Sequence, residues 1–262
     1  SLSPRKRNHR SDGVSMTKFD MGAAWDDAVQ LLRSHSGLTG TIAAVFLFLP
    51  ALAVAWFGPV PIEPPSGATV DQIMATFREN IRQMVPGSLI VALFTIAGTL
   101  AILRLWLSRT GTSVGEALSF ALTLFPTLVV AHLLAGIMLA LGFILLIVPG
   151  LYLVGRLALI APAVADRRIR NPMAAIGESW RLTQGNAWSI FFFLFLVALV
   201  FGIASVILGS LVGLVGGTGA GIGRILSGLV EAGFGAVASF VSIAVSAAAY
   251  RQLAVRRSEL FE

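Results

Sequence analysis

The sequence predicts an all-α integral membrane protein. Six transmembrane helices form three hairpins, each preceded by a cytoplasmic interfacial amphipathic helix, with both termini inside. Three observations predict it. Hydrophobic residues make up 56% of the 262 and charged residues only 12%, about half the charge of a soluble domain; mean hydropathy is +0.85. Six apolar runs follow one another at about 38–58, 87–107, 126–148, 150–165, 188–212 and 225–250, and five of them reach the roughly 20 residues that a spanning helix needs. Finally, with the N-terminus inside, cytoplasmic segments hold fifteen of the nineteen Lys and Arg residues, while Arg78, Arg82 and Arg224 fall outside and Arg156 lies within a span. Basic residues set membrane orientation in this way.

The chain divides into a basic, aperiodic tail (1–18), read as disordered and cytosolic, one six-helix membrane domain (19–257), and a short C-terminal tail (258–262). Residues 20–35, "DMGAAWDDAVQLLRSH", form an amphipathic helix ahead of the first span. The loop 59–86 begins proline-rich. Its second half places Val70, Ile73, Met74, Phe77, Ile81 and Met84 at helical spacing, which predicts a short helix resting on the outer leaflet or capping the bundle. Residues 113–125, "SVGEALSFALTLF", precede the third span. Pro149-Gly150 is expected to break the helix and turn the chain into the short fourth span.

Before the fifth span, Asn171 is expected to cap a helix that has Pro172 at its first position. Met173, Ile176, Trp180 and Leu182 would face lipid and Glu178 and Arg181 water, with Gly185-Asn186 bending the chain into the membrane. "LRSHSG" (32–37) and "WRLTQG" (180–185) share an arginine and a glycine at one spacing. Three true repeats explain this, and so does a general need for interfacial entry segments.

Charge placement and composition also exclude functions. The net charge is +6, but the basic residues sit in short segments between apolar runs, not in a nucleic-acid-binding patch. With no cysteine, disulfides, thiolate metal sites and cysteine nucleophiles are excluded. "GLVGGTGAGIGR" (213–224) lacks the βαβ setting of a dinucleotide site and reads as a flexible outer turn. No cofactor is expected.

Ionisable groups at membrane depth are the candidate site. Arg156 and Glu231 each lie six residues from the outer start of a predicted span, about 9 Å deep, and are expected to pair. The pair would lock two spans together or serve an outward-facing cavity; alternatively, Arg156 snorkels alone. Glu231, Gly235, Ser239, Ser242 and Ser246 form a small polar stripe suited to close helix packing, with a water-lined path as the alternative. His132 reads as a packing residue and Arg104 as snorkelling. Gly209 and Gly213 give a GxxxG spacing. Such glycine- and serine-lined faces suit adjacent spans or a homo-oligomer, so oligomeric state stays open.

"GTSVGEALSFALTLFPTLVVAHLL", the Pro149-Gly150 hairpin, the arginine and proline of "GRLALIAP" (155–162) and "AIGESWRLTQGN" (175–186) resemble the glycerophosphodiester phosphodiesterase membrane-domain family and its YciC-like relatives. The resemblance covers roughly 110–200. It implies a multi-spanning bacterial inner-membrane protein without the soluble phosphodiesterase barrel to which some members are fused. The chain has no room for that barrel and lacks the histidine and carboxylate cluster of metal-assisted phosphodiester cleavage. The first functional expectation is therefore a non-enzymatic protein that organises, senses or moves lipids or other amphiphiles. A small-solute or ion transporter built on Arg156, Glu231 and His132 comes second, and an intramembrane enzyme third. The expected partners are membrane lipids and, through the helix faces above, a second copy or another protein.

Overall fold

A computed structural model describes residues 18–34, 36–108, 113–216 and 221–258. The N-terminal tail up to 17, the C-terminal residues 259–262 and the middle of the glycine-rich turn lie outside the described residues. The described residues are helical throughout their regular elements, in the order α1 (Met21–Arg33), α2 (Ser36–Ala43), a π-helical turn (Ala44–Phe48), α3 (Leu49–Phe57), α4 (Val70–Leu107), α5 (Val114–Leu145), α6 (Ile147–Leu157), α7 (Ile160–Arg167), α8 (Pro172–Leu182), α9 (Ala187–Gly216) and α10 (Ile222–Ser258). Six rods are long and apolar enough to cross a membrane: Ser36–Phe57, Val70–Leu107, Val114–Leu145, Ile147–Arg167, Ala187–Leu214 and Ile222–Ala254.

Local chemistry accounts for the ends and breaks. Asp20 caps α1 by accepting from the Ala23 amide, and Asn171 caps α8 by accepting from Met173 and Ala174, with Pro172 at the first helical position. Thr69 with Gln72 and Ser113 with Glu116 form reciprocal capping boxes, each satisfying amides that a helix start leaves orphaned. Pro50 follows the π-helical turn; a proline cannot donate to the carbonyl four residues back, and the wider turn accommodates that loss.

Three expected boundaries are corrected. The segment 70–86 is not a separate helix: it runs straight through Pro86 into the second span as the 38-residue α4, about 57 Å long. Its apolar residues Val70, Ile73, Met74, Phe77, Ile81 and Met84 are exposed and cap nothing. Residues 114–125 likewise continue through Pro126 into the third span. The α5–α6 turn falls at Leu146, in extended backbone with φ −163° and ψ 151°, and not at Pro149-Gly150. Pro149 occupies the first turn of α6, where its missing amide has no partner to lose. Gly150 acts by size: a Cβ there would lie 2.4 Å from the Phe143 ring.

Consecutive rods pack together, α10 closes against α3 and the π-helical turn, and α7 lies among α4, α5, α8 and α10. The core is lopsided. Leu100–Leu103 and Trp106 of α4, Ala163–Ala165 of α7, Ile190 of α9 and Ala247–Tyr250 of α10 are buried, all toward the end that carries α1 and α8. Toward the opposite end, Val206, Ile207 and Leu211 of α9 and Ile225, Leu226 and Leu229 of α10 are exposed. Buried residues thus concentrate at one end of the bundle, while α9 and α10 leave more apolar surface exposed toward the other.

Candidate functional site

The buried end is organised around a break in the fourth rod. Between α6 and α7 the chain leaves helical geometry at Leu159, with φ −103° and ψ 13°, which frees backbone groups that an unbroken helix would pair. Ser179 of α8 takes two of them: its hydroxyl donates to Arg156 O at 2.7 Å and accepts from Leu159 N at 3.2 Å. Arg156, 7% exposed, returns the favour to α8 by donating Nη1 to Trp180 O at 2.9 Å, with Thr183 Oγ1 at 3.5 Å. A guanidinium at a helix C-terminus meets orphaned carbonyls and the negative end of the helix dipole. Its Cζ also lies 4.4 Å from the Trp180 ring centroid and 5.4 Å from that of Tyr152, a cation–π clamp. Beside it, Gly155 lets α6 touch the start of α9: a Cβ there would sit 2.1 Å from Ala187 O.

The network continues outward. Glu178 bridges Arg167 at 2.9 Å and Arg181 at 2.8 Å. Tyr250 donates its hydroxyl to Asp166 at 2.6 Å and accepts from Arg167 Nε at 3.4 Å. Asn186 Oδ1 accepts from Phe19 N at 2.8 Å, and Asp27 pairs with Arg251 at 3.0 Å. Gly185, at φ +80°, makes the bend that brings Asn186 round, a conformation glycine adopts without penalty. Helices α1, α7, α8 and α10 are thereby tied together.

Several expected roles change in consequence. Arg156 and Glu231 do not pair, because Arg156 turns to the end of α8 while Glu231 lines an opening bounded by α3, α4 and α10. Ile176 and Leu182 are buried against the bundle instead of facing lipid, and only Met173 and part of Trp180 remain exposed on that helix's apolar side. Glu178, expected in water, has a side chain 11% exposed and faces Arg167. Ser179 and Thr183 were not singled out by sequence reasoning, although both stand inside the "ESWRLTQGN" run, and Asn186 was read only as part of the bend; Tyr250 is a hydrogen-bond partner of α7.

Toward the opposite end, Glu231 is exposed and lines two openings, one on either side of α10. The larger, about 540 Å³, lies among α3, α4 and α10 and includes Val54, Met84, Ser88, Ser227 and Gly235. The smaller, about 150 Å³, lies between α9 and α10 and includes Ser205, Gly209 and Phe234. The stripe below Glu231 is only partly packed. Gly235 and Ser242 are exposed, Ser239 and Ser246 are half-buried, and a Cβ added at Gly235 would meet nothing within 4 Å. The buried face of α10 is instead Ala232 and the run Ile243–Val245 with Ala247–Tyr250. Gly209 and Gly213 would likewise meet nothing, so the GxxxG pair makes no close helix contact among the described residues.

His132 is exposed on α5, with Nδ1 2.9 Å from Leu128 O of its own helix. Arg104 is half-buried with its guanidinium over the Phe120 ring at 4.8 Å. Neither stands near the other candidate groups by any contact of the structure.

Fold and site together define a multi-pass membrane protein, all-helical among the described residues, with a tightly networked end and more exposed apolar surface toward the other. No family model, curated protein or solved structure matches the chain.

Proposed function

We propose that the chain is a non-enzymatic protein of the bacterial inner membrane that moves amphiphiles along the open face of α10. In this reading both termini are cytoplasmic, the spans pair as three hairpins, and α1, α8 and the start of α5 lie at the inner interface. The observation that carries it is a polar stripe on a spanning helix that is exposed at Glu231, Gly235 and Ser242 and half-buried at Ser239 and Ser246. From Glu231 to Ser246 the stripe extends fifteen residues, about 22 Å, against a hydrocarbon core of about 30 Å. A headgroup crossing that core needs polar contacts along its way, while its chains stay in lipid.

The family resemblance supports the inner-membrane setting, and the many aromatic residues near the rod ends suit interfaces. The rival transporter reading weakens because Arg156 is turned to the end of α8, His132 to its own helix and Glu231 to the opening among α3, α4 and α10. The unpacked Gly209–Gly213 face of α9 offers a surface for a second copy of the chain.

The test is reconstitution of the full chain into liposomes with a fluorescent lipid, and bleaching of the outer leaflet by a membrane-impermeant reductant. Inner-leaflet label should become accessible with the protein present and more slowly with Ser239→Leu and Ser242→Leu together. Rates equal to those of protein-free vesicles would remove the proposal.

A further inference from the structure

We infer that the opening at Glu231 selects an amphiphile whose headgroup ends in a primary ammonium; this rests on the reading that α10 carries amphiphiles. Its volume of about 540 Å³ falls in the range of small-molecule sites, and its walls are largely apolar, from Ala51, Val54, Met84, Val91 and Ala232. Among the lining residues Glu231 carries the only charge, and it also lines the smaller opening across the helix. One carboxylate therefore faces both sides of α10.

The remaining polar groups of the walls are turned to accept, not donate. Ser88 gives its hydroxyl proton to carbonyls of its own helix, Met84 O at 3.1 Å and Val85 O at 3.0 Å. Ser227 donates to Arg224 O at 3.2 Å. The nearby cation of α10, Arg224, is committed to the carbonyls that end α3, Ala55 O and Gly58 O. What is left facing the opening is a negative charge and hydroxyl lone pairs, which suit a donor-rich cation.

The walls also distinguish kinds of cation. A quaternary ammonium has no N–H to give and is recognised by aromatic rings, and no aromatic side chain lines this opening. A primary ammonium offers three donors to the acceptors present. Glu231 stands nine residues into α10, about 14 Å along the helix, and Arg224 and the Trp56 contact to Ile225 O lie nearer that helix's start. That places the carboxylate within reach of a lipid headgroup whose chains lie along the apolar walls.

The experiment is intact mass spectrometry of the full chain released from mixed micelles holding phosphatidylethanolamine, phosphatidylcholine and phosphatidylglycerol in equal amounts. The wild type should retain phosphatidylethanolamine about tenfold over the others, the scale of one charge-assisted hydrogen bond. Glu231→Gln should remove the preference and Glu231→Asp should keep part of it, which separates loss of charge from loss of folding. Competition by free ethanolamine would show that the headgroup alone suffices, and competition by dodecylamine but not ethanolamine that the apolar walls contribute; either outcome supports the site. Equal retention of the three lipids by the wild type, or a preference unchanged in Glu231→Gln, overturns it. Lipid movement without headgroup preference sinks this inference and leaves the proposed function standing. Preference without movement does the reverse.

Discussion

Ser179 satisfies both a freed carbonyl and a freed amide at the α6–α7 break, so its hydroxyl reaches further than its size suggests. Ser179→Ala leaves Leu159 N and Arg156 O buried without that partner, and an unsatisfied buried group costs about 1–3 kcal/mol. Thermal unfolding in detergent should register the loss. Arg156 and Glu231 give the complementary expectation. Because they touch different elements, Glu231→Gln should leave the unfolding temperature unchanged, and combining it with Arg156→Gln should be additive; distant sites without shared partners add within about 0.5 kcal/mol. A coupling energy well above that would restore the ion pair. Gly155→Ala should be the most damaging single change in the network, since the added carbon meets a backbone carbonyl that cannot rotate away.

At the scale of the element, the α5–α6 turn separates two explanations for one dipeptide. If Pro149 made the turn, replacing it should disturb the fold. The structure predicts that Pro149→Ala is nearly neutral, because the first turn of a helix requires no amide there. Gly150→Ala should destabilise instead, by about 1–3 kcal/mol, as the added carbon runs into the Phe143 ring where α6 and α5 meet. Measuring both variants by the same unfolding assay decides between size and conformation. For α8, Asn171→Ala should cost about 1 kcal/mol through loss of its cap, a smaller effect than the loss of Ser179 if packing against α6 and α7 holds the helix in place.

Buried contacts are concentrated at one end of the molecule and sparse along α9 and α10 at the other, and local opening should follow that gradient. In detergent, amides of 205–214 and 222–230 should exchange with deuterium sooner than those of 100–106 and 243–250, because fewer buried contacts resist their opening. Uniform protection along α9 and α10 would contradict the gradient.

The six rods were legible from the sequence alone, since an apolar run near twenty residues has one stable solution in lipid, a helix that satisfies its own backbone. The caps at Asp20, Asn171 and Ser113 were legible to differing degrees: Asn171-Pro172 announces itself, while Ser113 with Glu116 was available as a capping box and lay within a segment already read as helical. What the run lengths could not convey was continuity. Pro86 and Pro126 look like breakers, yet both sit inside long helices, because a proline costs a helix one bond and a local clash that neighbouring packing can absorb.

Composition and the placement of charge by themselves determined the class of the protein, the number of rods and the site of each candidate ionisable group along the chain. Only the tertiary structure decided which face each group presents and to whom: that Arg156 closes the end of α8, that Glu178 turns inward to Arg167, and that Glu231, Gly235 and Ser242 of α10 are exposed. Depth along a helix follows from counting residues at 1.5 Å apiece. Azimuth relative to a neighbour depends on how every other helix packs, and in a uniformly apolar helix such as α9 or α5 no periodic pattern in the sequence records it.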